Sequence, residues 1–333
     1  MTRSRRGAPA AFVMPFYSAS GAPPDQDLLR RAVASALHQT DDDVRLVIVD
    51  DASPDPRSTL WLEELSASDP RIHVVRQPDN RGPGYCRNIG VRWAEKLGVD
   101  IVCFLDSDDE AHPSRVEVAR RLMTEAGAEV VYSTFVVVDA YGAAIPVADI
   151  VSGVQIILSD LDSRPLSGKE IWIELAVERD NLTIPSSLSV TTRLAQAIPF
   201  PENARFHEDM HTWLRYSASG AEVLFTPATP SRYRILTADR GSSSRERAGG
   251  IDAFNRLRAN VISGGLREAI DMGIRRGVIG SSDGREILAR YFLNVAGMIR
   301  REGSDTVASE LVSRAHDLLP KQVFNQLRAR YQA

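Results

Sequence analysis

Two acidic clusters in the first third of the chain have the residue types and spacing for metal or nucleotide chemistry. Each cluster directly follows a short apolar run that predicts a buried strand; the first contains Asp50 and Asp51, the second Asp106, Asp108 and Asp109. A single Asp after a strand is typical of a turn or a helix cap. Three carboxylates within four residues repel one another, and a bound divalent cation is the usual compensation. Their hard oxygen atoms favour Mg²⁺ or Mn²⁺.

A third candidate lies later in the chain, where His207 to His211 read literally as H-E-x-x-H. On a helix this spacing places two imidazoles on one face, as in a zinc metalloprotease. Glu208 and Asp209 also suit the start of a helix, where acidic side chains interact favourably with the helix dipole. His316 is the only histidine after His211, so the sequence offers few candidates for a third zinc ligand. We keep the metalloprotease as an alternative.

Seven short motifs occur in order between residues 11 and 245. They are Val13–Tyr17, Ala32–Thr40, Leu46–Ser53, Asn80–Gly84 with Arg87–Gly90, Phe104–Asp109, Phe206–Asp209 with Trp213–Arg215, and Tyr233–Arg234. Each motif alone is weak, but their order and spacing resemble the family 2 glycosyltransferases of the GT-A fold. The resemblance implies an inverting enzyme of the hexosyltransferase type that uses a nucleoside-diphosphate sugar.

The resemblance also implies a role for individual residues. Asp51 matches the acceptor of a hydrogen bond from the imide N–H of uracil or thymine, which favours a UDP-sugar, with a dTDP-sugar second. The other donor-binding positions are Pro15, Phe16, Tyr17, Gly82, Arg87 and Ser107. Asp106 and Asp108 match the DxD motif, in which Mn²⁺ or Mg²⁺ bridges carboxylate and diphosphate, and Asp109 supports them. Asp209 matches the general base for the acceptor hydroxyl, with Glu208 beside it.

The sequence departs from the family pattern in three places. Ser18 stands where an Asn is frequent, Gly21 to Pro24 read as an insertion, and no histidine follows Tyr233 and Arg234 up to residue 240. The Gln-x-x-Arg-Trp signature of processive synthases is also absent. We therefore expect transfer of a single sugar, with no assured metal ligand from the segment after Arg234.

Two further hypotheses remain open. A catalytically inactive nucleotide-sugar binding protein would keep the same fold, although both DxD acids and the base position are present. A nucleotidyltransferase would share the sheet and the metal, but its Gly-rich, Arg/Lys-containing loop after the first strand is absent. Asn181 to Thr183 match a glycosylation sequon, which we expect to be unused because no secretory signal is evident.

The elements that must position these residues are those of an α/β protein. Strands predicted at 12–17, 44–50, 72–76 and 101–105 alternate with helical patterns, which indicates βαβ units and a mixed, mainly parallel sheet flanked by helices. Ligands of such sheets bind at the carboxyl ends of the strands. From residue 251 onward the pattern is purely helical, with segments at 251–275, 284–301 and 304–331. We predict a tail at 1–10, a GT-A catalytic domain at 11–240 and a C-terminal helical bundle at 250–333.

Composition narrows the class of protein. The chain has 333 residues, with 40 basic and 44 acidic side chains, so no global positive field favours nucleic acid. Two cysteines, Cys86 and Cys103, and no apolar run long enough for a membrane span fit a cytoplasmic protein, with a peripheral position at the inner membrane face left open. The scarcity of lysine fits a GC-rich bacterial genome. The acceptor, a saccharide, lipid-linked saccharide or small natural product, and a homodimer through the C-terminal helices are left open.

Overall fold

A seven-stranded sheet forms the centre of the protein. The structure is a computed structural model and describes residues 8–150, 152–179, 181–236 and 247–331. The strands are β1 Ala10–Phe16, β2 Val44–Asp50, β3 Ile72–Arg76, β4 Ile101–Phe104, β5 Val130–Val138, β6 Leu188–Thr191 and β7 Val223–Arg234. Their order is β3-β2-β1-β4-β6-β5-β7; β6 is antiparallel to both neighbours and the other pairings are parallel. The predicted mixed, mainly parallel α/β sheet is confirmed.

Helices cover both faces of this sheet. The α-helices of the described residues are α1 Pro23–Leu37, α2 Pro56–Ser68, α3 Pro83–Lys96, α4 Arg115–Glu125, α5 Ser152–Ser163, α6 Trp172–Glu178, α7 Thr192–Ala197, α8 Glu208–Ala218, α9 Ile251–Arg275, α10 Ser281–Arg301, α11 Asp305–His316 and α12 Lys321–Tyr331. The last four make up the predicted C-terminal helical region.

Proline explains two differences from the predicted elements. The segment predicted as one helix over 304–331 consists of α11 and α12, because Pro320 lacks the N–H that a continuing helix needs. Strand β7 is twelve residues long, although its continuous apolar run in the sequence covers only 223–225. Pro227 and Pro230 interrupt the apolar pattern there, and both are tolerated because β7 lies at the edge of the sheet.

Alternation along β1 divides the core into two layers. Ala11 and Val13 belong to an apolar cluster that continues into the C-terminal helices. Ala10, Phe12 and Met14 point to the opposite face and pack in a second cluster with α1 and α2. Successive side chains of a strand point to opposite faces, so a single strand anchors both layers. Strand β1 is therefore buried on both sides, at the centre of the sheet.

Close packing joins the C-terminal helices to the rest of the protein. At Gly265 of α9 a Cβ atom would lie 2.6 Å from the backbone oxygen of His211 in α8, so only glycine allows this approach. The first seven residues of the predicted tail lie outside the described residues, and so do residues 241–246, which belong to the segment between the two predicted domains. Within the described ranges, no helix combines the length and apolarity that crossing a bilayer requires.

Candidate active site

The parallel register of the sheet brings the predicted site residues to one edge. Phe16 of β1 pairs with Asp50 of β2, and the backbone N–H of Asp51 donates to the carbonyl of Phe16 at 2.9 Å. On the other side of β1, the N–H of Leu105 donates to the carbonyl of Val13 at 3.1 Å. The segments that follow these three strands therefore leave the sheet side by side, at its carboxyl edge.

A cleft of about 700 Å³ lies above this edge. The predicted site residues that line it are Pro15, Phe16, Tyr17, Asp51, Arg87, Asp106, Ser107, Asp108, Glu208 and Asp209. Gly82 is not among the lining residues, although the next residue, Pro83, is. The sequence motifs thus converge in one cleft even though they are up to about 190 residues apart in the chain.

The Asp51 carboxylate is fixed by the backbone at the start of α3. Its Oδ1 accepts from the N–H of Arg81 and its Oδ2 from the N–H of Gly82, both at 2.8 Å. Gly82 has φ +87°, a conformation that glycine adopts without the cost other residues meet. A carboxylate has about four lone-pair sites, so Asp51 keeps acceptor capacity for a ligand. Gly82 contributes by holding Asp51.

A buried hydroxyl organises the turn that carries the DxD residues. Ser186 Oγ accepts from the backbone N–H of Asp106 at 3.0 Å and donates to Asp109 Oδ2 at 2.6 Å. Asp109 is buried, and its Oδ1 accepts from the backbone N–H of Arg234 at 2.8 Å. The Arg234 side chain returns to donate to the carbonyl of Asp108 at 2.8 Å. Asp109 therefore fixes the turn through its hydrogen bonds to Ser186 and Arg234, while Asp106 and Asp108 line the cleft.

The charge of this turn favours a cation. Burial raises the pKa of Asp108 to about 6, and the neighbouring Asp106 adds to the rise. Among the residues that the structure describes, no three His, Cys, Asp or Glu side chains converge in a metal site. Mg²⁺ is usually bound by one or two carboxylates together with substrate phosphates. Two carboxylates at the cleft therefore fit a cation that binds jointly with a diphosphate.

The start of α8 brings a second pair of acids to the cleft. His207 precedes the helix with φ +61°, and Glu208 and Asp209 form its first turn. Asp209 Oδ2 accepts from Asn181 Nδ2 at 3.0 Å, and Oδ1 accepts from the N–H of Met210 at 2.7 Å. Burial raises the pKa of both carboxyl groups. An Asp with a raised pKa is better suited to accept a proton than an exposed one.

Arg87 joins the two acidic groups. Its side chain is 2% exposed; Nη1 donates to Glu208 Oε1 at 2.7 Å and Nη2 to Asp106 Oδ1 at 2.6 Å. The sequence predicted that this residue binds the nucleotide-sugar donor, and that role stays a prediction. In the structure its guanidinium lines the cleft and lies between carboxylates from the two halves of the site.

The two histidines of the H-E-x-x-H pattern face different surroundings. The His207 ring packs on Phe254 with centroids 4.8 Å apart, whereas His211 Nε2 lies 3.7 Å from Glu268 Oε1. Burial lowers the pKa of His207 to about 4 and that of His211 to about 3. The geometry does not support the metalloprotease alternative, because the imidazoles do not converge.

Several residues of the cleft were not predicted from the sequence. Asn181 was interpreted only as an unused sequon, and it proves to be the partner of Asp209. Ser186 lies in a segment without a motif. Helix α9 adds Phe254, Arg258 and Ile262 to the wall of the cleft beside α8. Nothing in the periodicity of α9 distinguishes these positions from core positions, so only the packing of α9 on α8 identifies them.

Comparison with known proteins agrees with this geometry. Residues 11–164 match the family model described as Glycosyl transferase family 2. The succinoglycan biosynthesis proteins ExoW and ExoO of Rhizobium meliloti are 35% and 34% identical to this chain over 138 and 119 residues. These matches cover 41% and 36% of this chain, but only 41% and 32% of the relatives.

Solved structures extend the similarity of fold to almost the whole chain. Residues 1–349 of S. aureus TarS in complex with UDP superpose with a TM-score of 0.53 at 15% identity, covering 97% of this chain and 91% of that one. The mannosyltransferase PcManGT from Pyrobaculum calidifontis, bound to GDP-Man and Mn²⁺, gives 0.53 at 15% identity, covering 98% and 85%. Residues 11–164 are therefore similar to glycosyl transferase family 2, and the fold of the chain is of the GT-A type.

Proposed function

We propose that this protein transfers one sugar from a nucleoside-diphosphate sugar to an acceptor hydroxyl with inversion at the anomeric carbon. The observation behind the proposal is the arrangement of acids in one cleft. Asp51 follows β2 and is hydrogen-bonded to Phe16 of β1, the DxD pair follows β4, and Asp209 lies on α8. Donor binding, diphosphate departure and proton removal each have a group in the same cleft.

The donor end favours a UDP-sugar, with a dTDP-sugar second. The Asp51 carboxylate is fixed by two backbone N–H groups, and as a hydrogen-bond acceptor it suits the imide N–H that uracil and thymine share. A hydrogen bond to a charged acceptor is about twice as strong as a neutral one. The relative TarS was solved with UDP, whereas PcManGT was solved with GDP-Man, so the fold alone does not select the base.

Asp106 and Asp108 would hold Mn²⁺ or Mg²⁺ together with the diphosphate. When bound, the cation offsets the negative charge of the leaving group. Asp106 has one oxygen paired with Arg87 and one left for such a cation. Asp209 accepts the proton of the attacking hydroxyl, while Asn181 keeps its carboxylate oriented. Attack from the face opposite the diphosphate inverts the anomeric configuration.

The experiment is a transfer assay with panels of donors and acceptors on the purified full chain, followed by NMR of the product. We expect transfer of a single sugar and an inverted anomeric configuration. Retention of configuration would contradict the role of Asp209, and donor binding without transfer to any acceptor would favour an inactive binding protein. A homodimer through the C-terminal helices, a cytoplasmic location and the acceptor class remain predictions.

A further inference from the structure

Arg87 is a buried cation shared by the two acidic motifs of the cleft. It lies on α3, Asp106 follows β4 and Glu208 begins α8, so one side chain connects three elements. Both contacts are short, at 2.6 Å and 2.7 Å, and the partners are 19 and 121 residues away in the chain. Asp106 is 32% exposed at the cleft, whereas Glu208 is 8% exposed.

Stability alone is a poor explanation for this triad. Arg87 and Glu208 are both removed from water, which is costly, and buried ion pairs are often no more stabilising than apolar side chains of similar volume. Arg87 also keeps a buried Nε for which the described residues provide no hydrogen-bond partner. The Arg87 guanidinium is therefore better explained by a functional role, namely holding Asp106 and Glu208 in position, than by a gain in stability.

We propose that Arg87 is a positioning residue that couples the cation-binding turn to the helix carrying the base, and that it is not a ligand of the donor phosphates. This inference rests on the proposed function. Arg87 holds Asp106 Oδ1, so that only Oδ2 of that carboxylate is directed to a cation. Arg87 also pairs with the Glu208 carboxylate, the acid next to Asp209. Asp209 is then the acid of the α8 pair whose carboxylate is not engaged by Arg87 and can face the acceptor.

The two possible roles of Arg87 differ in their dependence on metal. A phosphate ligand would strengthen UDP binding with or without a cation. A positioning residue that holds Asp106 would leave metal-free UDP binding unchanged, and would affect only the increase in affinity that the cation produces. Lysine at this position keeps the charge but lacks the planar fork that pairs with two carboxylates at once.

The test measures UDP affinity by calorimetry for wild type and Arg87→Lys, each with Mn²⁺ and with EDTA. We expect the affinity in EDTA to change by less than about twofold, and the Mn²⁺-dependent increase to fall at least about tenfold. An equal loss in both conditions would identify a phosphate ligand, and an unchanged increase would remove the coupling role. Failure of wild type to bind any nucleoside diphosphate more tightly with Mn²⁺ would overturn the proposed function itself.

Arg179→Lys is the matched control. Arg179 is 3% exposed and also bridges two carboxylates, Asp160 at 2.7 Å and Glu174 at 2.8 Å, but it does not line the cleft. We expect this variant to keep the Mn²⁺-dependent increase. If Arg87→Lys lowers thermal stability, a second variant is measured. The double variant Arg87→Met/Glu208→Gln removes the two buried charges together, so that neither is left without its partner. Recovery of stability without recovery of the Mn²⁺ effect is expected, and recovery of both would contradict the proposal.

Discussion

At the scale of single residues, the surroundings of Asp209 distinguish it from the neighbouring acid Glu208. Its two oxygens accept from Asn181 and Met210, its pKa is raised by burial, and its neighbour Glu208 is paired with Arg87. The two acids therefore differ in their partners although they are adjacent in the chain. The order of the motifs predicts that Asp209, and not Glu208, is the base. The reason for the difference lies in residues 181 and 87, and only the folded chain brings those residues to α8.

We predict that Asp209→Asn lowers turnover by about 10²-fold or more while UDP affinity stays nearly unchanged, because only the transition state needs proton transfer. Glu208→Gln should have a milder effect on turnover, since Glu208 is expected to position the site through Arg87 and not to accept the proton.

The acidic limb of the kcat/KM profile should lie above the ordinary Asp pKa, because activity is lost when falling pH protonates the base. Steady-state kinetics with calorimetry on both variants checks this. An Asp209→Asn enzyme as fast as wild type would exclude Asp209 as the base.

At the scale of elements, the strands of the first half could be predicted and several connections could not. Short apolar runs identified β1, β2 and β4, since a buried parallel strand has a strong composition signal, and acids follow β2 and β4. Helices α5, α6 and α7 were not predicted. Helices α6 and α7 have only 7 and 6 residues, and α5 has Gly153 in its first turn and Pro165 shortly after its end. The fit of α9 against α8 depends on Gly265, whose meaning appears only when His211 is seen opposite it.

This helix contact gives a stability prediction. Gly265→Ala should destabilise the protein by about 1–3 kcal/mol, because its Cβ would meet backbone atoms of His211 at 2.6 and 2.7 Å. Gly264→Ala is the control in the same helix, since its Cβ would make an ordinary contact 3.6 Å from the His211 ring. That change should be neutral or stabilising by up to about 1 kcal/mol through helix propensity. Urea unfolding measures both; equal effects would show that the two helices do not pack as closely as described.

At the scale of the whole molecule, one apolar cluster runs from the sheet into the C-terminal helices. It includes Val13 of β1, Trp172 of α6, Trp213 of α8 and Leu266 of α9. The sequence predicted a boundary near residues 241–250 from composition, and that division stays a prediction. Composition detects a change in pattern along the chain, but it cannot show whether the two parts share a core.

The shared core predicts a single unfolding transition. Trp172 and Trp213 are both fully buried in this cluster, so their fluorescence reports its integrity. Far-UV circular dichroism and tryptophan fluorescence should give coincident denaturation curves for the full chain, as in two-state unfolding. Two separated transitions would indicate that the C-terminal helices unfold independently of the sheet.

The central claim is that the carboxylates of this cleft bind a nucleoside diphosphate through a shared divalent cation. Calorimetric titration of the full chain with UDP, dTDP, GDP and CDP, each with Mn²⁺ and with EDTA, tests it most directly, with Asp108→Ala measured beside wild type. We predict tightest binding of UDP, dTDP second, a strong loss of affinity in EDTA, and the same loss in the variant with Mn²⁺ present. Metal-independent binding of UDP would contradict the cation-binding role of Asp106 and Asp108. A preference for GDP or CDP would contradict the base-binding role of Asp51.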